Sequence, residues 1–254
     1  MLENQKVVVE TTPNSDENWF ESWFDSPYYH ILYQNRDEKE AQLFMDNLVH
    51  FLNLPEDAKI LDLACGKGRH SIYLNALEYD VTGVDLSENS IKTATEFSNE
   101  KLNFKVHDMR NNLNEKYDAI FNLFTSFGYF NAKSDNLKAL NAIKNGLTET
   151  GFAVIDFMNV DYVLQNLIAE EEKIVDGITF FMKRYYKDAA IFKEIQFEDQ
   201  GKKYHFTEKV QALRLADFEN MMEEAGLYLL AIFGDYKLKK FHTNESERLI
   251  LIFK

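Results

Sequence analysis

One cysteine, Cys65, serves the whole chain of 254 residues. That scarcity excludes an intramolecular disulfide and a cage of thiolate metal ligands, and it matches a reducing compartment. Basic charge is also short: 28 Lys and Arg stand against 42 Asp and Glu, a formal net charge of −14. Long-range repulsion at that charge opposes a phosphate backbone or an anionic membrane before any local contact forms. A small-molecule substrate is therefore expected, with neither nucleic acid nor membrane as partner. No apolar run reaches the ~18 residues needed to cross a bilayer. The first residues, MLENQKVVVETTPNSDEN, also lack a basic segment followed by an apolar one, and the reading is a cytoplasmic protein. Repeats and low-complexity segments are absent, and with no clustered Cys and His ligands no metal site is expected.

What is present is a packed α/β pattern, with 45% hydrophobic residues. Residues 1–18 are polar and aperiodic and read as a mobile tail. The aromatic segment WFESWFDSPYYHILY follows at 19–33, interrupted by Pro27, and little regular structure of its own is expected there. Ala41, Phe44, Met45, Leu48 and Leu52 recur at helical spacing, predicting an amphipathic helix that ends before Pro55. Strands are then expected at 59–63, 80–84, 104–106, 117–124 and 152–157, with helices near 69–77, 88–99, 135–147 and 160–170 between them. That alternation marks a parallel sheet covered by helices on both faces.

After about residue 172 the pattern changes to three β-segments, GITFFMKRYY, AAIFKEIQF and KKYHFTEKVQAL, separated by turn signals. This stretch carries eight acidic and eight basic residues between Glu171 and Leu213, so the rest of the chain bears the whole −14. It is expected to shape an acceptor pocket and a homodimer surface. A helix over 214–225 stopping at Gly226, then LYLLAIFGDY and ERLILIFK as closing strands, completes the pattern. The boundaries read as 1–18 tail, 19–171 core with an N-terminal lid, 172–213 antiparallel insertion and 214–254 closing elements.

The chemistry concentrates in ILDLACGKGRH at 60–70, a Gly-x-Gly between an apolar run and a helical pattern. Such turns hold dinucleotides, phosphates or S-adenosylmethionine. A dinucleotide turn wants a third small residue where Ser71 stands, a partial mismatch, and a phosphate loop wants a Lys-Ser/Thr pair that Lys67-Gly68 does not supply. Asp62, four residues before Gly66, places a carboxylate beneath the loop. It disfavours pyrophosphate and favours a cation, and S-adenosylmethionine brings a sulfonium and an α-ammonium without phosphate. Asp85, in GVDLS, is placed to accept both ribose hydroxyls of an adenosine, which suits a nicotinamide dinucleotide equally. In VHDM, Asp108 is placed to accept from the adenine amine while Met109 packs on the ring.

DLACGKG, GVDLS, HDMR and NLFTSFGYF resemble, in order and spacing, the motifs of class I S-adenosylmethionine-dependent methyltransferases. Within them the chain is similar to small-molecule enzymes of the sugar-amine N,N-dimethyltransferase kind, from about Tyr28 to the C-terminus. The resemblance implies a Rossmann-like seven-stranded sheet in order 3-2-1-4-5-7-6, its last strand antiparallel, with an antiparallel β insertion. It also implies methyl transfer from S-adenosylmethionine, with S-adenosylhomocysteine as product, to a small acceptor, an amine nitrogen being expected. Asn122-Leu-Phe-Thr-Ser126 replaces an Asn/Asp-Pro-Pro-aromatic motif, which argues against methylation of a nucleic-acid base or a protein amide.

The cofactor-binding set is then Tyr28, Tyr33, Asp62, Ala64, Gly66, Gly68, Arg69, Asp85, Leu86, Asp108, Met109 and Leu123. Arg69 is a candidate for the cofactor carboxylate, and the Leu123 carbonyl for the α-ammonium. Tyr28, Tyr29 and Tyr33 are, by resemblance, a lid; the alternative is a hydrophobic staple for the first helix. The aromatic loop 125–130 is expected to face the methyl group and to suit a cationic amine. No residue declares itself the base; Tyr29, Tyr129 and His205 are candidates. Arg184, Tyr204, His242 and Asn159 are further acceptor-side candidates, and Cys65 reads as a small buried filler. Two alternatives stay open: a dinucleotide-dependent oxidoreductase, sharing Asp85 and the turn, and a non-catalytic cofactor-binding protein.

Overall fold

The computed structural model describes residues 9–11, 19–34 and 38–254. In chain order the elements are β1 (Val9–Thr11), α1 (Trp19–Phe24), α2 (Pro27–Leu32), α3 (Glu38–Leu52), β2 (Lys59–Leu63), α4 (Arg69–Ala76), β3 (Asp80–Asp85) and α5 (Glu88–Thr95). They continue as β4 (Leu102–Val106), β5 (Tyr117–Asn122), α6 (Lys133–Gly146), β6 (Leu147–Met158), α7 (Val160–Gln165), β7 (Glu170–Val175), β8 (Ile178–Lys187) and β9 (Ala190–Asp199). β10 (Lys202–Gln211), α8 (Leu215–Ala225), β11 (Leu229–Phe233) and β12 (Arg248–Phe253) end the chain. The described residues form two compact units: 38–165 with 213–254, and those up to 34 with 166–212.

The larger unit holds a seven-stranded sheet, β11-β12-β6-β5-β2-β3-β4. Numbered by their own succession these strands run 3-2-1-4-5-7-6, with β12 antiparallel to both β6 and β11, as the resemblance implied. Helices over both faces explain why β2 and β5 read as near-continuous apolar runs: Ile60, Leu61, Leu63, Ala119, Ile120 and Phe121 are all buried. The five apolar residues expected of α3 are its five buried ones, and Phe44, Met45, Leu48 and Leu52 join the core with Leu74, Val81 and Ile250. Ser87 caps α5 by accepting from the Ser90 amide at 3.0 Å, and Gly226, at φ +67°, ends α8 where the sequence placed the stop.

The smaller unit is the five-stranded sheet β1-β10-β9-β8-β7, antiparallel except for β1, which runs parallel to β10. Differences from the expected pattern fall here and at the border with the larger unit. β7 is a fourth antiparallel strand, and α7 stops at Gln165 rather than near 170. Glu170-Glu171-Glu172-Lys173 pairs along β8 without an apolar period that composition could reveal. The aromatic segment is helical: Pro27 sits in the first turn of α2, where a missing N–H costs nothing, and the Ser26 side chain accepts from the Tyr28 amide at 3.2 Å. Of the tail expected at 1–18, Val9–Thr11 form β1 and the remainder lies outside the described residues. Among the described residues no helix is long and apolar enough to cross a membrane.

Candidate functional site

The turn between β2 and α4 is built from left-handed residues. Ala64, Gly66 and Gly68 have φ of +68°, +56° and +82°, and the Ala64 and Cys65 amides both donate to the Val84 carbonyl, at 2.8 and 2.9 Å. The two glycines answer to different constraints. A Cβ at Gly68 would lie 2.6 Å from the Phe104 ring, whereas one at Gly66 would meet no atom within 4 Å. Gly68 is therefore required by packing, and Gly66 opens onto free space. Gly83 on β3 is as tight as Gly68: its Cβ would stand 2.6 Å from Phe104 and 2.8 Å from Ser71 Oγ.

Carboxylates meet at this turn. Asp62, wholly buried on β2, accepts from Ser71 Oγ at 2.6 Å. Burial pushes its pKa up to about 6, the Ser71 hydroxyl offsetting part of the rise. Asp85, closing β3, accepts from the Gly66 amide at 2.8 Å through Oδ2 and from the Ser87 amide at 2.9 Å through Oδ1. Its carboxylate thus braces the turn from both oxygens. Leu86 follows it, half-buried.

Beyond β4, Asp108 is held by Arg110, whose Nη2 and Nε reach it at 2.6 and 3.0 Å. Burial alone would raise the Asp108 pKa; the guanidinium outweighs it and holds the carboxyl below its usual range. Arg110 also lies 5.0 Å over the Phe130 ring. Met109 between them is half-buried. Cys65 is buried, and burial pushes its thiol well up, consistent with a filler.

The loop after β5 holds what the sequence did not reveal. Phe124 and Thr125 are consecutive left-handed residues, φ +58° and +61°. Asp156 of β6, fully buried, takes both their amides: Phe124 N–H on Oδ2 at 2.9 Å and Thr125 N–H on its backbone carbonyl at 3.0 Å. Arg248 of β12 pairs with Asp156 Oδ1 at 2.8 Å and donates to Thr125 Oγ1 at 3.0 Å. Tyr236 donates to Asp156 Oδ2 at 3.3 Å, and burial raises its phenol pKa. The Phe124 ring stacks on His70 at 4.9 Å and lies 4.9 Å beneath the Arg69 guanidinium. Ser126 Oγ donates to the Leu123 carbonyl at 2.9 Å, and Tyr129 donates to the Thr125 carbonyl.

Asp62, Asp85, Asp108 and Leu123 thus lie at or just past the carboxyl ends of β2, β3, β4 and β5, four neighbouring parallel strands of the sheet. The methyltransferase domain family matches residues 54–226. This chain belongs to that family. The glycine/sarcosine N-methyltransferase of Aphanothece halophytica is 25% identical over 94% of the chain and 88% of its own length. Among solved structures, an S-adenosylmethionine-dependent methyltransferase from Clostridium acetobutylicum superposes with TM-score 0.76 at 24% identity, covering 89% of this chain and 95% of that one. A sugar N-methyltransferase from a Streptoalloteichus species gives 0.67 at 18%, covering 89% and 91%. The chain is an S-adenosylmethionine-dependent methyltransferase, which sets aside the dinucleotide oxidoreductase.

The other candidate residues of this methyltransferase are spread over the two units. In the smaller unit, Tyr28 donates to Asp199 at 2.9 Å and packs on Phe197 and Tyr204. Tyr33 donates to Glu208 at 2.7 Å and accepts from Lys193 at 2.6 Å, and Tyr29 packs against Trp23 and Tyr33. Arg184 pairs with Glu171 at 2.6 Å, and His205 Nε2 is enclosed without a hydrogen-bond partner. In the larger unit, the Asn159 side chain is committed to the Thr243 and Ser246 carbonyls and the Asp161 amide, and His242 belongs to that same loop through its amide to Ser246 Oγ.

Proposed function

We propose that this methyltransferase methylates an amine nitrogen of a small molecule. The observation that carries the reading is the glycine/sarcosine N-methyltransferase likeness over 94% of the chain, joined by the fold likeness to a sugar N-methyltransferase. Both are named for transfer to nitrogen, on small acceptors of different kinds.

The turn fits the cofactor by its own chemistry. Gly66 leaves open the space a Cβ would fill, and the Asp85 carboxylate stands beside that amide at the end of β3. In this reading Asp85 accepts from the ribose hydroxyls, with Ala64, Gly66, Gly68 and Leu86 shaping its surroundings. Asp108 and Met109 border the adenine, while the Leu123 carbonyl, Arg69 and Asp62 serve the amino-acid end. When bound, S-adenosylmethionine supplies a methyl group on a cationic sulfonium.

For transfer, the chain's own task is alignment in a dry site, since an in-line displacement asks for little else. The amine must reach the site unprotonated, and Tyr129, whose hydroxyl is engaged at the Thr125 carbonyl, is the base candidate nearest the β5 loop in sequence. The aromatic faces of 124–130 stabilise a cationic ammonium product.

Incubation with methyl-labelled S-adenosylmethionine and glycine, sarcosine or amino sugars in turn tests the reading. A labelled N-methyl product is expected. Label transferred only to oxygen or carbon acceptors from a metabolite extract would overturn it.

A further inference from the structure

Asp156, Arg248 and Tyr236 come from β6, β12 and the loop between β11 and β12, far in sequence from every cofactor motif. They meet beneath Phe124 and Thr125. Two successive non-glycine residues at positive φ cost about 1–2 kcal/mol each, and such a pair persists only where its surroundings over-determine it. Here they do. Asp156 takes both amides, Arg248 takes the Thr125 hydroxyl, and Tyr236 closes on Asp156 while its ring packs 5.2 Å from Phe124. The backbone set in this way decides where the Phe124 ring lies. That ring in turn is the platform for the first two residues of α4: the Arg69 guanidinium over its face and the His70 imidazole stacked on it. Arg69 and His70 also meet, Nη2 to Nε2 at 3.1 Å. A guanidinium has only donors, so the imidazole nitrogen accepts there.

We propose that Asp156, Arg248 and Tyr236 are positioning residues for the amino-acid end of the cofactor, acting through the Phe124–Thr125 backbone and the Phe124 ring on Arg69. The proposal rests on the cofactor reading of the β2–α4 turn. It predicts that the network governs affinity for the amino-acid portion and leaves adenosine recognition alone, because Asp85 and Gly66 are braced by separate bonds.

The test compares two ligands in calorimetry, S-adenosylhomocysteine and 5′-methylthioadenosine, which keeps the adenosine and sulfur but lacks the amino-acid group. Arg248→Met is expected to weaken S-adenosylhomocysteine about tenfold or more, the scale of one charge-assisted contact, and to leave 5′-methylthioadenosine within about twofold. Arg248→Lys is expected to recover part of the loss, since it restores a charge but not the forked geometry. Arg248→Met also strips the partner from a buried carboxylate and risks unfolding. Thr125→Val, which removes only the Oγ1 acceptor, is therefore measured beside it, with a smaller loss in the same ligand expected.

Equal losses for both ligands in a folded variant would make the network a general support and overturn the proposal. So would variants that bind both ligands as the wild type does. A wild-type chain that binds neither nucleoside overturns the cofactor reading itself and the proposal with it, a result distinct from the other two.

Discussion

The Gly66 amide donates to Asp85 Oδ2 at 2.8 Å, tying the turn after β2 to the last residue of β3, 19 positions on. The same carboxylate accepts the Ser87 amide ahead of α5. Asp85→Ala strips both bonds, so stability should fall by about 1–3 kcal/mol for the unsatisfied donors, alongside a loss of S-adenosylmethionine affinity of at least about tenfold. Urea unfolding and calorimetry read the two effects. A variant as stable as wild type with unchanged affinity would refute both roles of Asp85.

Gly66 and Gly68 should separate under substitution to Ala. At Gly68 the methyl would press on the Phe104 ring at 2.6 Å, and the overpacking should cost about 1–3 kcal/mol in addition to the left-handed strain. At Gly66 only the backbone term of about 1 kcal/mol applies, because no atom lies within 4 Å. Gly66→Ala should melt near the wild-type temperature yet bind S-adenosylhomocysteine weakly. Gly83→Ala should resemble Gly68→Ala. The reverse order of melting temperatures would count against the division.

Asp62 predicts a pH dependence with a definite sign. Its pKa, raised to about 6 from an ordinary 3.8, means that the folded state binds more protons than the unfolded one between those values. Its contribution to stability therefore falls as pH rises from about 4 to 6 and stays unfavourable above. Ligand binding should move oppositely. If ionised Asp62 serves the α-ammonium, affinity for S-adenosylhomocysteine should drop about tenfold from pH 7 to 5 as the carboxylate protonates, while 5′-methylthioadenosine shows no such drop. Asp62→Asn should flatten the profile; an unchanged slope in that variant would exclude Asp62 as its source.

Glu208 anchors the aromatic helices of the smaller unit, accepting from Trp23 Nε1 at 2.8 Å and Tyr33 Oη at 2.7 Å, with Lys193 Nζ at 3.8 Å. Removing the shared acceptor of a half-buried cluster costs about 1–3 kcal/mol, so Glu208→Ala should loosen α1 and α2. Hydrogen exchange of 19–33 should show protection without ligand in the wild type and its loss in the variant. The lid reading of Tyr28, Tyr29 and Tyr33 requires added protection when S-adenosylhomocysteine binds; equal protection in both states would remove it.

Much of the larger unit was legible because local rules act there without rivals. The five buried positions of α3 obey one helical period, Gly226 stops α8 by its left-handed backbone, and parallel strands covered on both faces are apolar along their length. The glycine turn and Asp62, Asp85 and Asp108 were legible too, since a strand-to-helix turn fixes its spacing within one short stretch. β7 was not, because its charged residues are ordered by pairing with β8 and not by burial. The helices of the aromatic segment hid behind Pro27, whose place in a first turn depends on the cap that Ser26 supplies.

The sequence by itself determined the strand succession of the larger unit and the carboxylates near its strand ends, consequences of spacing along a local stretch, and its motifs carried the resemblance to the family. Only the tertiary structure decided that Gly68 and Gly83 answer to Phe104 while Gly66 faces open space. It also decided that Asp156, Arg248 and Tyr236 hold Phe124 and Thr125. These partners lie up to 123 residues apart in the chain, and no local period or motif encodes a contact that exists only once β12 has inserted beside β6.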